Sequence, residues 1–392
     1  MSRIDDLIVE LALKGIQFLP LSRLSTRIVD GSHNPPTASA ELPLFPMISA
    51  RNVNNGRVDF INARMLSHAD FQIENRRTQV VRGDVLLTIV GAIGRVAVVA
   101  TDEPMVFQRS VCIIKPIRDV VLPEFLRYAL ESTVVQAVIA GQANGAAQKG
   151  IYLNQVEEIM VPLPAIQEQR EIVRILDNFT ELEAELEAEL EARRRQYTFH
   201  RDKLLDYRSD ANVDEYEMRD VLDMRSGRFI SASDINQTRD SEHPYPCYGG
   251  NGLRGYVAQH NHDGEFVLVG RQGALSGNVK RVSGKFYATE HAVVVSVGNK
   301  LAVDWTFHML TAMNLNQYVS KGAQPGLAVG TLNSLLISVP AVTTQVATAD
   351  VLDKFHSLVN DLSSGLPAEL AARRKQYEYY RDRLLTFEEV SA

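Results

Sequence analysis

The chain has 392 residues, 45% hydrophobic and 23% charged, which is ordinary soluble composition over a length that calls for two or more domains. A net charge of −7 excludes nucleic-acid binding driven by total charge, and two distant cysteines, Cys112 and Cys247, exclude a disulfide framework or a zinc cluster. The acids Asp5, Asp6 and Glu10 do not suit a signal peptide, and Arg95 and two glycines break the longest apolar stretch, 85–100, so a cytoplasmic protein with no membrane span is expected.

Taken in chain order, residues 1–160 read as a first globular domain. Short β-branched runs, DVLLTIVGAIGRVAVVA (84–100) and RSVCIIKP (109–116), predict strands with tight connections. A helix follows over 122–139, then a polar glycine loop, AGQANGAAQKG (140–150). Residues 161–207 contain no Pro or Gly after Pro164, so they predict one helix of roughly 60 Å. Residues 208–338 repeat the first pattern: strand-like EFVLVGRQG (265–273) and HAVVVSVG (291–298), a helix over 302–319 and a polar glycine loop, SKGAQPGLAVG (320–330). Residues 339–392 are again helical, but Gly365 and Pro367 predict two helices, about 341–362 and 367–387, with Ser363 or Ser364 capping the second.

The helical stretches are two copies of one sequence. LPAIQEQREIVRILDNF (163–179) matches VPAVTTQVATADVLDKF (339–355) at an offset of 176, and ARRRQYTFHRDKLLDY (192–207) matches ARRKQYEYYRDRLLTF (372–387) at an offset of 180. Ile172, Ile175, Phe179, Leu182, Leu186, Leu190, Tyr197 and Leu204 recur at helical steps, as a seam for helix packing. The second copy supplies a partner seam at Leu352, Phe355, Leu370, Tyr377 and Leu384. Tyr197, Tyr377 and Tyr380 are expected to pack there rather than stack on bases. Inside the first copy a four-residue unit repeats as TELE-AELE-AELE (180–191), either a solvated acidic face beside a leucine stripe or a ruler that sets a distance.

Charge is distributed to match. Residues 1–164 hold 16 basic and 16 acidic side chains and residues 208–340 hold 12 and 13, whereas the helical stretches 165–207 and 341–392 hold 7 against 11 and 6 against 8. Neither globular part is basic, so any attraction for phosphate must come from local patches or from partner subunits.

This order resembles the specificity subunits of type I restriction–modification systems. The resemblance covers essentially the whole chain and rests on VPLPAIQEQREIVRILDNF (161–179), ARRRQYTFHRDKLL (192–205), GLPAELAARRKQYEYYRDRLL (365–385), YPCYGGNGLRGY (245–256) and GRQGALSGN (270–278). TELEAELEAEL and GLPAE look like the subfamily whose central spacer is built from four-residue repeats. The resemblance implies an α+β fold, with two similar mixed α/β target-recognition domains alternating with two long helical regions that pair as an antiparallel coiled coil. It implies a non-catalytic subunit that reads a bipartite, asymmetric site on double-stranded DNA. It further implies docking of two methyltransferase subunits and the restriction/translocase subunits. Cofactors would then sit on the partners, S-adenosylmethionine, ATP and magnesium among them, with no cofactor or metal in this chain.

Candidate DNA-binding residues follow from residue type and loop position. In the first domain they are Arg51, Asn52, Asn54, Asn55 and Arg57 near a turn, the pair Arg76 and Arg77, Arg95 after GAIG, Gln108 and Arg109 before a strand, and Gln148 and Lys149 in the polar loop. In the second they are Arg228, Tyr248, Asn251, Arg271, Gln272, Lys280, Lys321 and Gln324. Arg can grip guanine and Gln adenine with two hydrogen bonds, although phosphate contact is the commoner role and Arg271 can equally pair with an acid beside its turn. His291 is expected to be a satisfied structural histidine.

Two strings point instead to an adenine-N6 methyltransferase. HNPPT (33–37) resembles its base-holding NPP[FY] loop, but Thr37 replaces the aromatic ring. YGGNG (248–252) resembles its cofactor loop but lacks the alternation of strands and helices that should surround it. No Walker A sequence is present. A third reading is a coiled-coil scaffold that does not bind DNA.

Overall fold

The computed structural model describes Ile8 and residues 15–143, 150–207, 210, 213–273, 275–320, 326–361 and 363–387. The chain divides into two compact units, Met1–Glu185 with Ala371–Ala392, and Leu186–Leu370. Both borders fall inside helices, Ile166–Leu204 and Gly365–Leu385. Among the described residues no helix is long and apolar enough to cross a membrane.

The first unit is built on an antiparallel sheet in the order Ser25–Asp30, Val111–Pro116, Val85–Thr88, Val96–Val98. Its two central strands, Val111–Pro116 and Val85–Thr88, read as largely apolar runs because both faces are covered. Val85, Leu87, Cys112 and Ile114 face one core, with Phe125 and Tyr128 of the helix Pro123–Glu131 and with Ile172 and Leu176. Leu86, Val111 and Ile113 face a second core with Ile48, Val53 and Phe107. The helix expected over 122–139 is two, Pro123–Glu131 and Thr133–Gln142, because Ser132 leaves helical geometry and its hydroxyl accepts from the Val135 N–H.

The second unit has six strands in the order Leu222–Ser226, Ala292–Val297, His262–Gly270, Val279–Ala288, Tyr245–Gly249, Gly252–Val257. All neighbours are antiparallel except Tyr245–Gly249 beside Val279–Ala288. Val267, Val269, Val293 and Val295 face a core with Trp305 of the helix Val303–Ala312, while Leu268 and Val294 face Phe286.

The two units repeat one scheme down to single hydrogen bonds. A short antiparallel pair leads into each long helix, Gln17–Pro20 with Met160–Leu163 and Asp214–Glu217 with Leu336–Val339. One turn into the helix sits a fully buried glutamine, Gln169 or Gln345. Gln169 accepts from the Leu122 N–H at 2.9 Å and donates to the carbonyls of Val120 and Pro164 at 3.0 and 2.9 Å. Gln345 accepts from the Ala302 N–H at 2.8 Å and donates to Lys300 and Pro340 at 2.9 and 2.8 Å. Two turns further on, Tyr128 donates to Asp177 at 2.6 Å in one unit and His308 donates to Asp353 at 2.7 Å in the other.

The helices pair antiparallel within each unit. In the first, Phe179 stacks on Tyr380 at 5.6 Å and Glu183 pairs with Arg374 at 2.7 Å. In the second, Arg194 donates to the Val359 carbonyl at 3.3 Å and His200 stacks on Phe355. Ile172, Ile175, Leu190, Tyr197, Leu352, Leu370 and Leu384 are buried, and Phe179, Leu186, Phe355, Tyr377 and Tyr380 are half-buried. Two seam assignments are corrected: Leu182 is 50% exposed and Leu204 40%, whereas Leu176, outside the predicted seam, is fully buried. A four-residue unit turns the helix by about 400°, so each leucine of the repeat is rotated about 40° from the last and the stripe drifts off the seam.

The break in the second copy lies between Val342–Asn360 and Gly365–Leu385. Gly365 has φ +71°, and a Cβ there would stand 2.6 Å from the Leu358 carbonyl oxygen. The hydroxyls of Ser363 and Ser364, the residues expected to cap the second helix, donate to Asp361 at 2.7 Å each. Those donors pull the Asp361 carboxyl down to about 2.

Candidate nucleic-acid interface

At one end of each sheet several loops are stitched together by main-chain bonds. In the first unit Ser32 N–H donates to Phe107 at 2.7 Å, Arg109 to Ser32 at 2.8 Å, Gln108 to Ile48 at 2.8 Å and Ile89 to Ser110 at 2.9 Å. In the second, Arg228 donates to Ala288 at 3.0 Å, Thr289 to Tyr248 at 2.8 Å and Arg271 to His291 at 2.8 Å. The polar glycine loops end on the same frame, where Gly150 bridges Val90 and Gly326 bridges Gln272. Gly31 and Gly227 make the closest approach: a Cβ would stand 2.1 Å from the Phe107 carbonyl oxygen in one unit and 2.3 Å from that of Ala288 in the other. Backbone thus fixes where the loop tips stand, and side chains are free to differ between the units.

Nine of the sixteen candidates that lie among the described residues are exposed on this frame: Arg51, Asn55, Arg57, Arg95 and Arg109 in the first unit, and Arg228, Asn251, Gln272 and Lys280 in the second. Asn55 (φ 48°) and Gly56 (φ 72°) turn a hairpin whose strands pair Val53 with Val58. Arg95 donates to Asn54 at 2.5 Å, so the two hold each other at the hairpin's base. Half-buried Tyr248 packs edge-on against Phe286, with the Lys280 ammonium 5.2 Å above its ring, and burial raises its hydroxyl above the usual tyrosine range. Gln108 is half-buried, and half-buried Arg271 donates to Ser226 at 2.9 Å rather than pairing with an acid.

Two candidates are committed within the protein. Asn52 is 5% exposed; its amide donates to Asp59 and Ile61 at 3.0 and 3.2 Å and accepts from the Ser49 N–H and hydroxyl. It shapes the loop and has no group left for a base. Arg77 is paired with buried Asp30, and Arg76 lies on the same helix, His68–Thr78. Gln148, Lys149, Lys321 and Gln324 lie outside the described residues. His291 is held as expected, its ring between Glu290 at 3.1 Å and Gln272 at 2.5 Å. His33, the first residue of HNPPT, bonds Asp30 at 2.6 Å.

Neither methyltransferase-like string has its expected setting. The Pro36 carbonyl accepts from Arg64 at 2.8 Å, fastening the NPPT loop to the surface, and YGGNG is the turn of a β-hairpin, with Gly249 opposite Gly252.

The model of the type I restriction modification DNA specificity domain matches residues 45–192 and again 211–372. The chain is 53% identical over 207 residues to the EcoprrI specificity subunit of Escherichia coli, and the match spans about half of each protein. It is 30% identical over 239 residues to a putative type I specificity subunit of Mycoplasma pneumoniae, covering 59% of this chain and 97% of that protein. Its fold is similar to that of the type I restriction–modification S subunit from M. genitalium, with a TM-score of 0.57 and 16% identity over 95% of this chain and 97% of that one. A chain from a structure of type I system assembly and conformational transition gives a TM-score of 0.64 at 14% identity, over 95% and 98%. With its double domain match, one on each loop frame, the chain belongs to the type I restriction–modification DNA specificity family.

Proposed function

We propose that the chain is the non-catalytic, DNA-reading subunit of a type I complex, each unit reading one half of a bipartite, asymmetric site. The observation that carries this is the loop frame itself, built twice with the same main-chain bonds and furnished each time with different polar side chains. Arg51, Arg57, Arg95 and Arg109 serve the first half-site, and Arg228, Asn251, Arg271, Gln272 and Lys280 the second; Gln148, Lys149, Lys321 and Gln324 are proposed to add contacts from the glycine loops. Phosphate contacts set register and a minority of side chains read base edges. Near-neutral reading domains leave much of the phosphate attraction to partner subunits.

Those partners are two methyltransferase subunits and the restriction/translocase subunits, carrying S-adenosylmethionine, ATP and magnesium. Val342, Val346 and Val351 are exposed along the helix Val342–Asn360, and Leu204 lines a shallow pocket with Val351, an apolar surface suited to a protein partner. The test is single-molecule sequencing of methylated bases in cells expressing this chain with its methyltransferase subunit, against cells lacking only this chain. A split motif with a fixed gap that vanishes without the chain is expected. A methylation pattern independent of the chain would overturn the proposal in favour of a scaffold.

A further inference from the structure

The hairpin of Tyr245–Gly249 and Gly252–Val257 carries an arginine that residue type and loop position did not single out. Cys247 stands opposite Gly255 and Tyr248 opposite Leu253, so Arg254 is the extra residue of a β-bulge, a device that re-aims a side chain. Arg254 is half-buried, and its stem lies over Gly249. A Cβ on Gly249 would stand 2.6 Å from Cδ of Arg254 and 3.1 Å from its Cγ. Gly249 is not one of the glycines with positive φ, so space for that stem, rather than backbone conformation, calls for glycine there. In the first unit the parallel registers Ile48 with Phe107 and Tyr248 with Ala288 make Ser49 its counterpart. A side chain fills that place, its hydroxyl donating to Asn52 at 2.9 Å, so the seat belongs to the second unit.

Among the described residues the Arg254 guanidinium has no hydrogen bond and no ion pair. Glu290, the acid that acts with it on the Cys247 thiol, bonds His291 instead at 3.1 Å. A second cation stands at the same tip: the Lys280 ammonium lies 4.0 Å from where a Cβ of Gly252 would be, and Gly252 pairs with Gly249. A half-buried charge without a partner gains most from an anion. In a duplex the anion is the phosphodiester, whereas base edges offer neutral donors and acceptors. The planar guanidinium meets phosphate through charge-assisted hydrogen bonds, about twice as strong as neutral ones.

We propose that Arg254, seated on Gly249, is a fixed phosphate contact of the second unit: it sets the register of that unit on the DNA backbone and reads no base. The inference rests on the DNA-reading function proposed above. The test uses the assembled complex and a duplex carrying its motif, with binding read by fluorescence anisotropy. Arg254→Ala weakens binding about tenfold at about 50 mM salt, and the wild-type advantage shrinks about three- to fourfold by about 200 mM, as loss of one phosphate contact requires. The methylome motif is unchanged. Gly249→Ala, which pushes the stem off its seat, reproduces the effect, and it adds less than about twofold when residue 254 is already alanine. Arg254→Lys keeps the wild-type salt dependence. Replacing single phosphates by neutral methylphosphonates locates the contact. One linkage in or beside the second half-site costs the wild type about tenfold and Arg254→Ala less than about twofold. Wild-type salt dependence in Arg254→Ala, a motif position relaxed by that variant, or no linkage that separates the two proteins overturns the inference and leaves the DNA-reading function standing. If Arg254→Ala fails to assemble, Gly249→Ala takes its place in the same measurements. Methylation that ignores this chain entirely defeats the reading function, and the inference with it.

Discussion

Gln345→Leu should loosen the second unit by an amount that can be worked from its three bonds. The side chain is fully buried, and its amide ties the N–H of Ala302 and the carbonyls of Lys300 and Pro340 at 2.8 to 2.9 Å. Leucine nearly preserves volume but leaves one donor and two acceptors without their partner. At about 1 kcal/mol for each bond, more for the stranded donor, the loss is about 3 kcal/mol. With a urea dependence of about 2 kcal/mol/M for a unit of this size, the unfolding midpoint falls by about 1.5 M. The assay reports on the right place. Trp305 is the chain's sole tryptophan, fully buried three residues after Ala302, so its fluorescence follows this unit. Gln345→Glu should cost at least as much, because it turns an oxygen toward two carbonyls where the amide donated. A midpoint within about 0.3 M of wild type for either variant would refute the reasoning.

Four other expectations follow. Burial holds His308 down to about 4, from 6.5. Because the unfolded chain binds that proton first, the stability it represents is complete above pH 6.5 and is lost as pH falls toward 4, about 3 kcal/mol in all. Trp305 fluorescence during urea unfolding at pH 7 and pH 4.5 should show the loss, and His308→Tyr, copying Tyr128 of the first unit, should flatten it. Asn52→Ala should destabilise the first unit by about 2 kcal/mol in thermal unfolding while leaving base preference unchanged. Arg109→Ala should weaken DNA binding by the assembled complex about tenfold, read by fluorescence anisotropy, without lowering stability. Removing one repeat unit, Ala184 to Glu187, takes about 6 Å out of the helix. The methylome gap should then shorten by one or two base pairs with both half-sites unchanged; an unchanged gap removes the ruler.

The sequence announced the duplication, the strand-rich domains and the long helices because each is a pattern in residue type and period. It did not announce which polar residues face inward. Asn52 sits among surface-like neighbours in SARNVNNGR, and only the fold shows that its amide closes a loop. Gln169 and Gln345 stand at matched positions of the repeat, yet a glutamine in a helix's first turn looks solvated until strand and helix ends converge on it. Leu182 was misplaced for a geometric reason, the 40° drift of a four-residue period. Arg77 was misplaced because its partner, Asp30, is 47 residues away.

The path of the chain has a consequence for how the molecule is made. The second unit is one unbroken stretch, Leu186–Leu370, whereas the first is completed by Ala371–Ala392. Leu384, Leu385 and Phe387 lie in the first unit's core beside Ile172 and Leu176. On the ribosome, the usual rule that the N-terminal domain finishes first is therefore inverted. The unit translated earlier waits, with an apolar face uncovered, until after its successor has closed, and loss of residues 371–387 strips the first unit rather than the second.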